Sequence, residues 1–272
     1  MSKSQVKVEE GTVTFKHPSL PDDKPCQTWY KVIGDLKTSS TGRPLITLHG
    51  GPGACHNYLL PSLSELPEKY GVPVVFYDQI GNGKSTHYRE KRLDTNFWTP
   101  DLIMSELENL LEHLGIGDDY DLLGQSWGGM LGAMFAIQGH KGLKRLIISD
   151  SPASMTLWVE ACNQLRAKLP RDVDEILEKH EKTQTYDSQE YKDAVMFFYK
   201  RHLCRMDPWP QDVIDSLDWL EKDDTVYMVG PNVLFTLVLA SPRRSFLLVY
   251  MANSPTISQR DSSTGCLRGT IF

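Results

Sequence analysis

Residues 124 to 129 read GQSWGG, directly after the run Tyr120-Asp121-Leu122-Leu123 and at the head of a small-residue stretch, WGGMLGAMFAIQGH at 127–140. The six residues fit G-x-S-x-G, with Gly124, Ser126 and Gly128. Two readings are open: a serine in a tight turn, or a serine held out of a sharp strand-to-helix turn with its hydroxyl above a sheet edge. The flanks favour the second. A buried strand precedes the motif and a tightly packed helix follows it, and a glycine on each side makes room for a strained backbone at Ser126. The helix start also aims backbone N–H groups at developing negative charge. Ser126 is thus a candidate nucleophile.

Outward from that turn, short apolar runs alternate with helical patterns. PLITLHG (44–50), VPVVFYD (72–78), YDLLGQ (120–125) and LKRLIISD (143–150) are nearly continuous in apolar residues. Strands apolar on both faces and alternating with helices predict a mostly parallel sheet covered on two sides. PDLIMSELENLLEHLGI (100–116) opens with Pro100 in its first turn, repeats Leu102, Ile103, Leu107, Leu110, Leu111 and Leu114 at helical spacing, and stops at Gly115. Upstream, GTVTFKHP (11–18) and QTWYKVIGD (27–35) alternate apolar and polar residues across the turn-rich SLPDDKP. They predict an antiparallel hairpin or meander of edge strands.

Beyond residue 155 the text changes to longer, charged amphipathic helices: TLWVEACNQLRAKLP, DVDEILEKHEK, SQEYKDAVMFFYKRHL and PQDVIDSLDWLEK. They predict either a helical cap inserted into the α/β core or a continuation of one fold. After residue 230 come two apolar runs and then a Ser/Thr-rich segment without helical periodicity. The organisation expected is a core at 1–154, a helical cap at 155–225 and a divergent tail at 226–272 that replaces the rest of the core.

Composition narrows the class of partner. With 272 residues, 40% of them hydrophobic, the chain has material for one large core or a core with a small accessory domain. A net charge of -6 argues against nucleic acid, because no basic cluster is large enough to replace phosphate counterions. The start MSKSQVKVEEG lacks the apolar segment of a secretory signal, and no stretch approaches the roughly 20 apolar residues that span a bilayer. A soluble cytoplasmic protein is the expectation. The five cysteines, Cys26, Cys55, Cys162, Cys204 and Cys266, have no CxxC spacing, so neither a disulfide framework nor a metal site is expected, and no cofactor. A small molecule or short peptide is the expected partner.

A second motif, HGGPG, runs from His49 to Gly53 after the run PLITL. Acyl transfer needs oxyanion donors opposite the nucleophile, and a glycine-rich loop lets backbone N–H groups approach without side-chain clash. Gly51 and Trp127 are the candidate donors. The bland alternative is a tight turn that binds nothing.

HGGPG, then DQIGNGKS at Asp78 to Ser85, then GQSWGG together resemble the proline iminopeptidase branch of the α/β-hydrolases, the S33 serine peptidases. The resemblance runs from about residue 10 to residue 232 and takes in YKDAVMFFYKRHLCRMDPWP and VYMVGPN. It implies the α/β-hydrolase fold with a helical cap, and an enzyme releasing an N-terminal residue, often proline, from small peptides, or cleaving amino-acid amides or esters. It implies Ser-Asp-His chemistry without a metal, with Ser126 as nucleophile and Gly51 and Trp127 holding the oxyanion. His49, Gly50, Pro52, Gly53, Asp78, Gln79, Gly124 and Gly128 then shape the loops around the site. Asp78 precedes the serine, whereas this fold orders its triad Ser, Asp/Glu, His, so it is expected to fix loops rather than do chemistry.

The resemblance breaks at about residue 233. A serine hydroxyl needs a histidine to take its proton and a carboxylate to orient that histidine. None of the eight histidines, His17, His49, His56, His87, His113, His140, His180 and His202, follows residue 202. The family's late G-x-x-D phrase is missing, and Asp261 in SQRDSSTG is a poor substitute for its acid. The Glu that relatives carry after GPN is replaced by Val233 and Leu234, which bears on recognition of a substrate ammonium. An altered or truncated C-terminal part is expected, and with it impaired hydrolysis. The alternative is an inactive hydrolase-like binding or regulatory protein.

Overall fold

The computed structural model describes residues 6–37 and 42–229. They fall into two compact units: residues 6–37, 42–153 and 211–229 form the first, and residues 154–210 the second. The first is built on a six-stranded sheet of β1 (Val8–Phe15), β2 (Cys26–Ile33), β3 (Leu45–Leu48), β4 (Val74–Tyr77), β5 (Tyr120–Gln125) and β6 (Leu143–Ser149), in the order β1-β2-β4-β3-β5-β6. β3 runs parallel to β4 and β5, and β5 parallel to β6; β1 and β2 pair antiparallel, as do β2 and β4.

Burial explains this order. Every residue of β3 and β4 is buried, as strands with apolar side chains on both faces require. The early hairpin forms in register from Val8 opposite Ile33 to Phe15 opposite Cys26. Only β1 lies at an edge, however. β2 was expected at one too, but exposes Gln27 alone among its eight residues and sits between β1 and β4. The reverse holds for β6, whose apolar text predicts cover on both faces. It is the last strand of the sheet among the described residues, and Ile147 and Ile148 are 47% and 53% exposed.

Two short helices, α1 (Leu60–Leu63) and α2 (Leu66–Tyr70), connect β3 to β4. The helix read from residue 100 is α3 (Pro100–Leu114). Thr99 caps it by accepting the Leu102 N–H at 3.2 Å, and Gly115 ends it in the left-handed region at φ 66°. It buries Leu102, Ile103, Leu107, Leu110 and Leu111, each worth about 1.5–3 kcal/mol in removal from water. One acid, Glu106, is buried on the same face.

α4 (Trp127–Ile137) packs against β3, β5 and β6. Its glycines set the approach: a Cβ on Gly128 would lie 2.0 Å from the Leu48 carbonyl oxygen, and one on Gly132 2.9 Å from the Leu146 side chain. Helices α8 (Gln211–Lys222) and α9 (Thr225–Val229) belong to this unit. The Ser216 hydroxyl accepts the Tyr58 N–H at 3.1 Å, and Arg92 forks onto both Asp224 oxygens at 2.7 Å.

The second unit contains α5 (Met155–Arg166), α6 (Arg171–Thr183) and α7 (Gln189–His202). Ser154 and Ser188 cap α5 and α7. Its core is Leu177, Tyr191, Ala194, Val195, Phe198 and Tyr199, with Trp209 packed against it. Arg166 ties α5 to α6 through Asp174 at 2.5 Å and Glu181 at 2.8 Å. From residue 230 on, the expected tail, with Val233, Leu234, Asp261 and Cys266, lies outside the described residues. Cys26, Cys55, Cys162 and Cys204 are buried. Among the described residues no helix is long and apolar enough to cross a membrane.

Candidate active site

β5 delivers Ser126 at its C-terminal end and α4 begins at the next residue, so the chain reverses on the serine itself. Ser126 sits at φ 54°, ψ −119° and is half-buried. Holding a non-glycine residue there costs on the order of 1–3 kcal/mol. The surroundings enforce it. Ser126 N–H donates to the Ser149 carbonyl at 2.9 Å, and the Ser126 carbonyl accepts the Gly129 N–H at 2.9 Å and the Met130 N–H at 3.2 Å. A Cβ at Gly124 would lie 2.2 Å from the Gly128 oxygen, so both motif glycines exist for close approach. Among the described residues no hydrogen bond reaches the Ser126 hydroxyl.

The HGGPG loop follows β3, the neighbour of β5, and so arrives beside the serine. A Cβ on Gly50 would lie 2.6 Å from the Gln125 Oε1 and 3.2 Å from the Ser126 Cβ. Gly51 adopts φ 119°, where a Cβ would lie 2.5 Å from the Gly53 nitrogen, and its bond to Pro52 is cis. Gly53 faces Leu220 and Tyr227. The Gly50 N–H is occupied by the Tyr58 hydroxyl at 2.6 Å, and that hydroxyl donates onward to the Gln125 Oε1 at 2.6 Å. Tyr58 thereby joins the loop to the residue preceding the serine. Burial raises its phenol well above the ordinary range, so it remains a donor.

Behind these loops His49 and Gln79 form a reciprocal pair. The Gln79 N–H donates to His49 Nε2 at 3.0 Å, so the ring hydrogen is on Nδ1, which donates to the Gly50 carbonyl at 2.9 Å. The Gln79 amide donates to the His49 carbonyl at 3.0 Å and accepts the Trp127 indole N–H at 3.0 Å. Burial lowers the His49 pKa, and both its nitrogens are engaged. His49 therefore holds the loop in its neutral form.

Asp78 is equally committed. One carboxylate oxygen accepts the His56 backbone N–H and Nδ1, both at 2.8 Å, and the other accepts the Lys84 N–H at 2.9 Å. Burial would raise this carboxyl, but the His56 hydrogen bond and charge, with the Lys84 N–H, hold it below the usual range. His56 is buried against Trp29. Ligand atoms of Cys55, His56 and Asp78 lie within 4.8 Å of one another. They are spent on internal hydrogen bonds: the Cys55 thiol donates to Asn57 at 3.0 Å, and burial pushes it up to about 12.

The other imidazoles are also engaged elsewhere. His87 faces Asp223 at 2.5 Å and the Gly83 carbonyl at 2.9 Å, His113 faces the Tyr30 hydroxyl, and His180 faces Thr185 and Glu190. His17 accepts the Ser19 N–H, His140 stacks on Phe135, and His202 packs on Phe198. Among the described residues no imidazole is hydrogen-bonded to Ser126.

Sequence reading missed Tyr58, Gln125 and Asp150. Asp150 follows β6, one residue beyond the carbonyl that holds Ser126, and has φ 46°. It is half-buried, burial raises its carboxyl, and the Ser149 hydroxyl donates to it at 3.0 Å. Its signal in the sequence was its place at the end of the strand run LKRLIISD.

A strained serine between strand and helix, at the C-terminal edge of parallel strands, is the arrangement of α/β-hydrolases. The family model of the alpha/beta hydrolase fold matches residues 43–207. The chain is 37% identical over 206 residues to a proline iminopeptidase of Thermoplasma volcanium, an alignment covering 75% of this chain and 66% of that protein. Two crystal structures share its fold with higher identity. VinJ matches at TM-score 0.74 and 47% identity, and the proline iminopeptidase of Mycobacterium smegmatis at TM-score 0.66 and 41%; each covers 80% of this chain and 69% of the other. The chain belongs to the alpha/beta hydrolase fold family, in its proline iminopeptidase-like branch. It spans slightly under two thirds of the Thermoplasma relative it matches.

Proposed function

We propose that the chain is a serine hydrolase that releases an N-terminal residue of the proline type from small peptides, or cleaves amino-acid amides or esters, through an acyl-enzyme on Ser126. The observation carrying this reading is the strained Ser126 turn with the Gly50 loop packed against it, a Cβ on Gly50 falling 3.2 Å from the Ser126 Cβ. The names of the relatives at 37% and 41% identity support the substrate class. Ser126 Oγ attacks the substrate carbonyl carbon, while the N–H groups of Gly51 and Trp127 hold the developing oxyanion. The serine's proton passes through solvent to the leaving amine or alcohol as its bond to the carbonyl carbon breaks, and water then adds to the acyl carbon, a proton returning to Ser126 Oγ as the acid is released. With the Gly50 N–H held by Tyr58, the donor role on that loop goes to Gly51.

An aminopeptidase must also pair the substrate's ammonium, since burying it unpaired costs several kcal/mol. We propose Asp150 for that role, a half-buried carboxylate one residue beyond the Ser149 carbonyl that holds Ser126. Asp150→Asn is then expected to raise KM for a free N-terminal proline arylamide by about tenfold and leave a blocked ester unaffected. Equal effects on both substrates reject the assignment.

A slower enzyme is the reading that the described histidines support. Their imidazoles are engaged away from Ser126. Without a histidine base at the serine, acyl transfer slows by about four to six orders of magnitude while the oxyanion hole retains part of the catalysis. The same observation favours the second reading, a binding or regulatory protein that keeps the site without turnover. Turnover of proline arylamide by the purified chain separates them: slow hydrolysis that vanishes in Ser126→Ala supports the enzyme. Substrate binding without Ser126-dependent hydrolysis supports the binding protein.

A further inference from the structure

Glu106 is a fully buried carboxylate that the proposed chemistry does not use. It lies on α3 at 0% exposure, in line with the leucines that pack that helix onto the core. Its Oε1 accepts the Thr28 hydroxyl at 2.5 Å from β2, with the Cys26 thiol 3.8 Å away, and its Oε2 accepts the Ile80 backbone N–H at 2.7 Å. Every one of these donors is neutral. A buried carboxylate held by neutral donors is expensive, so its presence calls for a reason.

Ile80 supplies that reason. It is the residue after Gln79, whose backbone N–H holds His49 Nε2 and whose side chain holds both the His49 carbonyl and the Trp127 indole. His49 opens the glycine loop and Trp127 follows the serine. The carboxylate thus fastens, through one peptide unit, the clamp that joins the two walls of the site.

Resting on the acyl-transfer reading above, we infer that Glu106 is a positioning residue whose ionised carboxylate, through Ile80 and Gln79, holds the glycine loop and the Trp127 turn in the geometry acyl transfer requires. The groups facing it are the Cys26 thiol and Thr28 hydroxyl from β2, Tyr77 from β4, Asp78 after it, and Tyr88. Burial is the main influence and the Asp78 charge adds to it, against the hydrogen bonds of Thr28, Ile80 and Cys26; the carboxyl is raised to about 7. Protonation leaves Oε2 a weaker acceptor for Ile80 and turns the Thr28 contact around. Glu106→Gln reproduces that neutral state at nearly the same shape, with the amide donating to Thr28 and its oxygen facing Ile80.

The test follows the Ile80 amide and Trp127 indole N–H resonances of the full chain from pH 5.5 to 8.5, with fluorophosphonate labelling of Ser126 over the same range. The expected result is one shared titration midpoint at both resonances, absent in Glu106→Gln. Labelling by that variant should be lower by about tenfold at pH 8 and lack the step, the size expected of a sub-ångström misplacement. Thr28→Val, which removes a donor to the carboxylate, is expected to move the shared midpoint upward and covers the case in which Glu106→Gln does not fold. A titrating Ile80 with an unmoved Trp127 indole, or no titration at either, overturns the inference. Shared titration in a chain that never labels preserves the positioning role and rejects the acyl-transfer reading instead.

Discussion

The two units handle buried polarity in opposite ways. Among the described residues, the buried polar side chains His49, His56, Asp78, Gln79, Asn82, Ser85 and Glu106 crowd into the first unit, whereas His180 is the only one in the second. The second unit closes on Leu177, Tyr191, Val195 and Phe198. Stability alone favours the second solution, because each buried polar group must recover its lost hydration through a partner. The first unit places His49, His56, Asp78, Gln79, Asn82 and Ser85 in the loops that follow β3 and β4, and Glu106 on α3 bonded to the Ile80 N–H. The contrast teaches that those loops are fixed for geometry, at some cost in stability.

The sharpest way to break that contrast is at Gly128. A Cβ there meets the Leu48 oxygen at 2.0 Å, and a backbone atom cannot move aside as a side chain can. Gly128→Ala is expected to cost more than about 4 kcal/mol, read as loss of the folded protein or a collapse of its thermal midpoint. In the second unit the corresponding injury is a cavity. Phe198→Ala should cost about 3–5 kcal/mol, measured by denaturant unfolding.

Next in size is the pH dependence contributed by the two buried carboxylates. Asp78 is held below its ordinary value, so its contribution is present above the unfolded carboxyl's pKa and lost as pH falls through the folded one. Glu106 has the opposite sign: raised from 4.5 to about 7, it is neutral in both states at low pH. Stability then falls as pH rises from 4.5 to 7, by up to about 3 kcal/mol. Glu106→Gln should therefore be the more stable protein at pH 8 and match the wild type near pH 4.5, measured by thermal midpoints across that range. A variant that gains stability while losing labelling identifies a residue kept for geometry. The smallest effect is expected from Tyr58→Phe, which leaves the buried Gly50 N–H and Gln125 without their shared hydroxyl. It should cost about 1–3 kcal/mol of stability, read as a lowered thermal midpoint.

Much of this was legible because local chemistry and fold agreed. Pro100 and Gly115 marked both ends of α3, and the glycines of GQSWGG announced the turn whose contacts at 2.0 and 2.2 Å require them. Edge positions were harder to read, since an apolar run does not state how many neighbours it has. β2 proved internal, and β6 lies at the end of the described sheet. The supporting polar residues were hidden for a related reason. Glu106 stands in the apolar stripe between Ile103 and Leu107, where an acid was itself the signal, but its partners Thr28 and Ile80 are 78 and 26 residues away. Tyr58 and Asp150 likewise take their meaning from the loop and strand beside them.

The central claim is that Ser126 is the nucleophile of acyl transfer. Intact-mass measurement of the purified, folded chain after prolonged exposure to a fluorophosphonate tests it most directly. The account predicts one adduct, mapped to Ser126 and formed slowly, and none in Ser126→Ala. An adduct that persists in Ser126→Ala, or a folded chain that never acquires one, contradicts it.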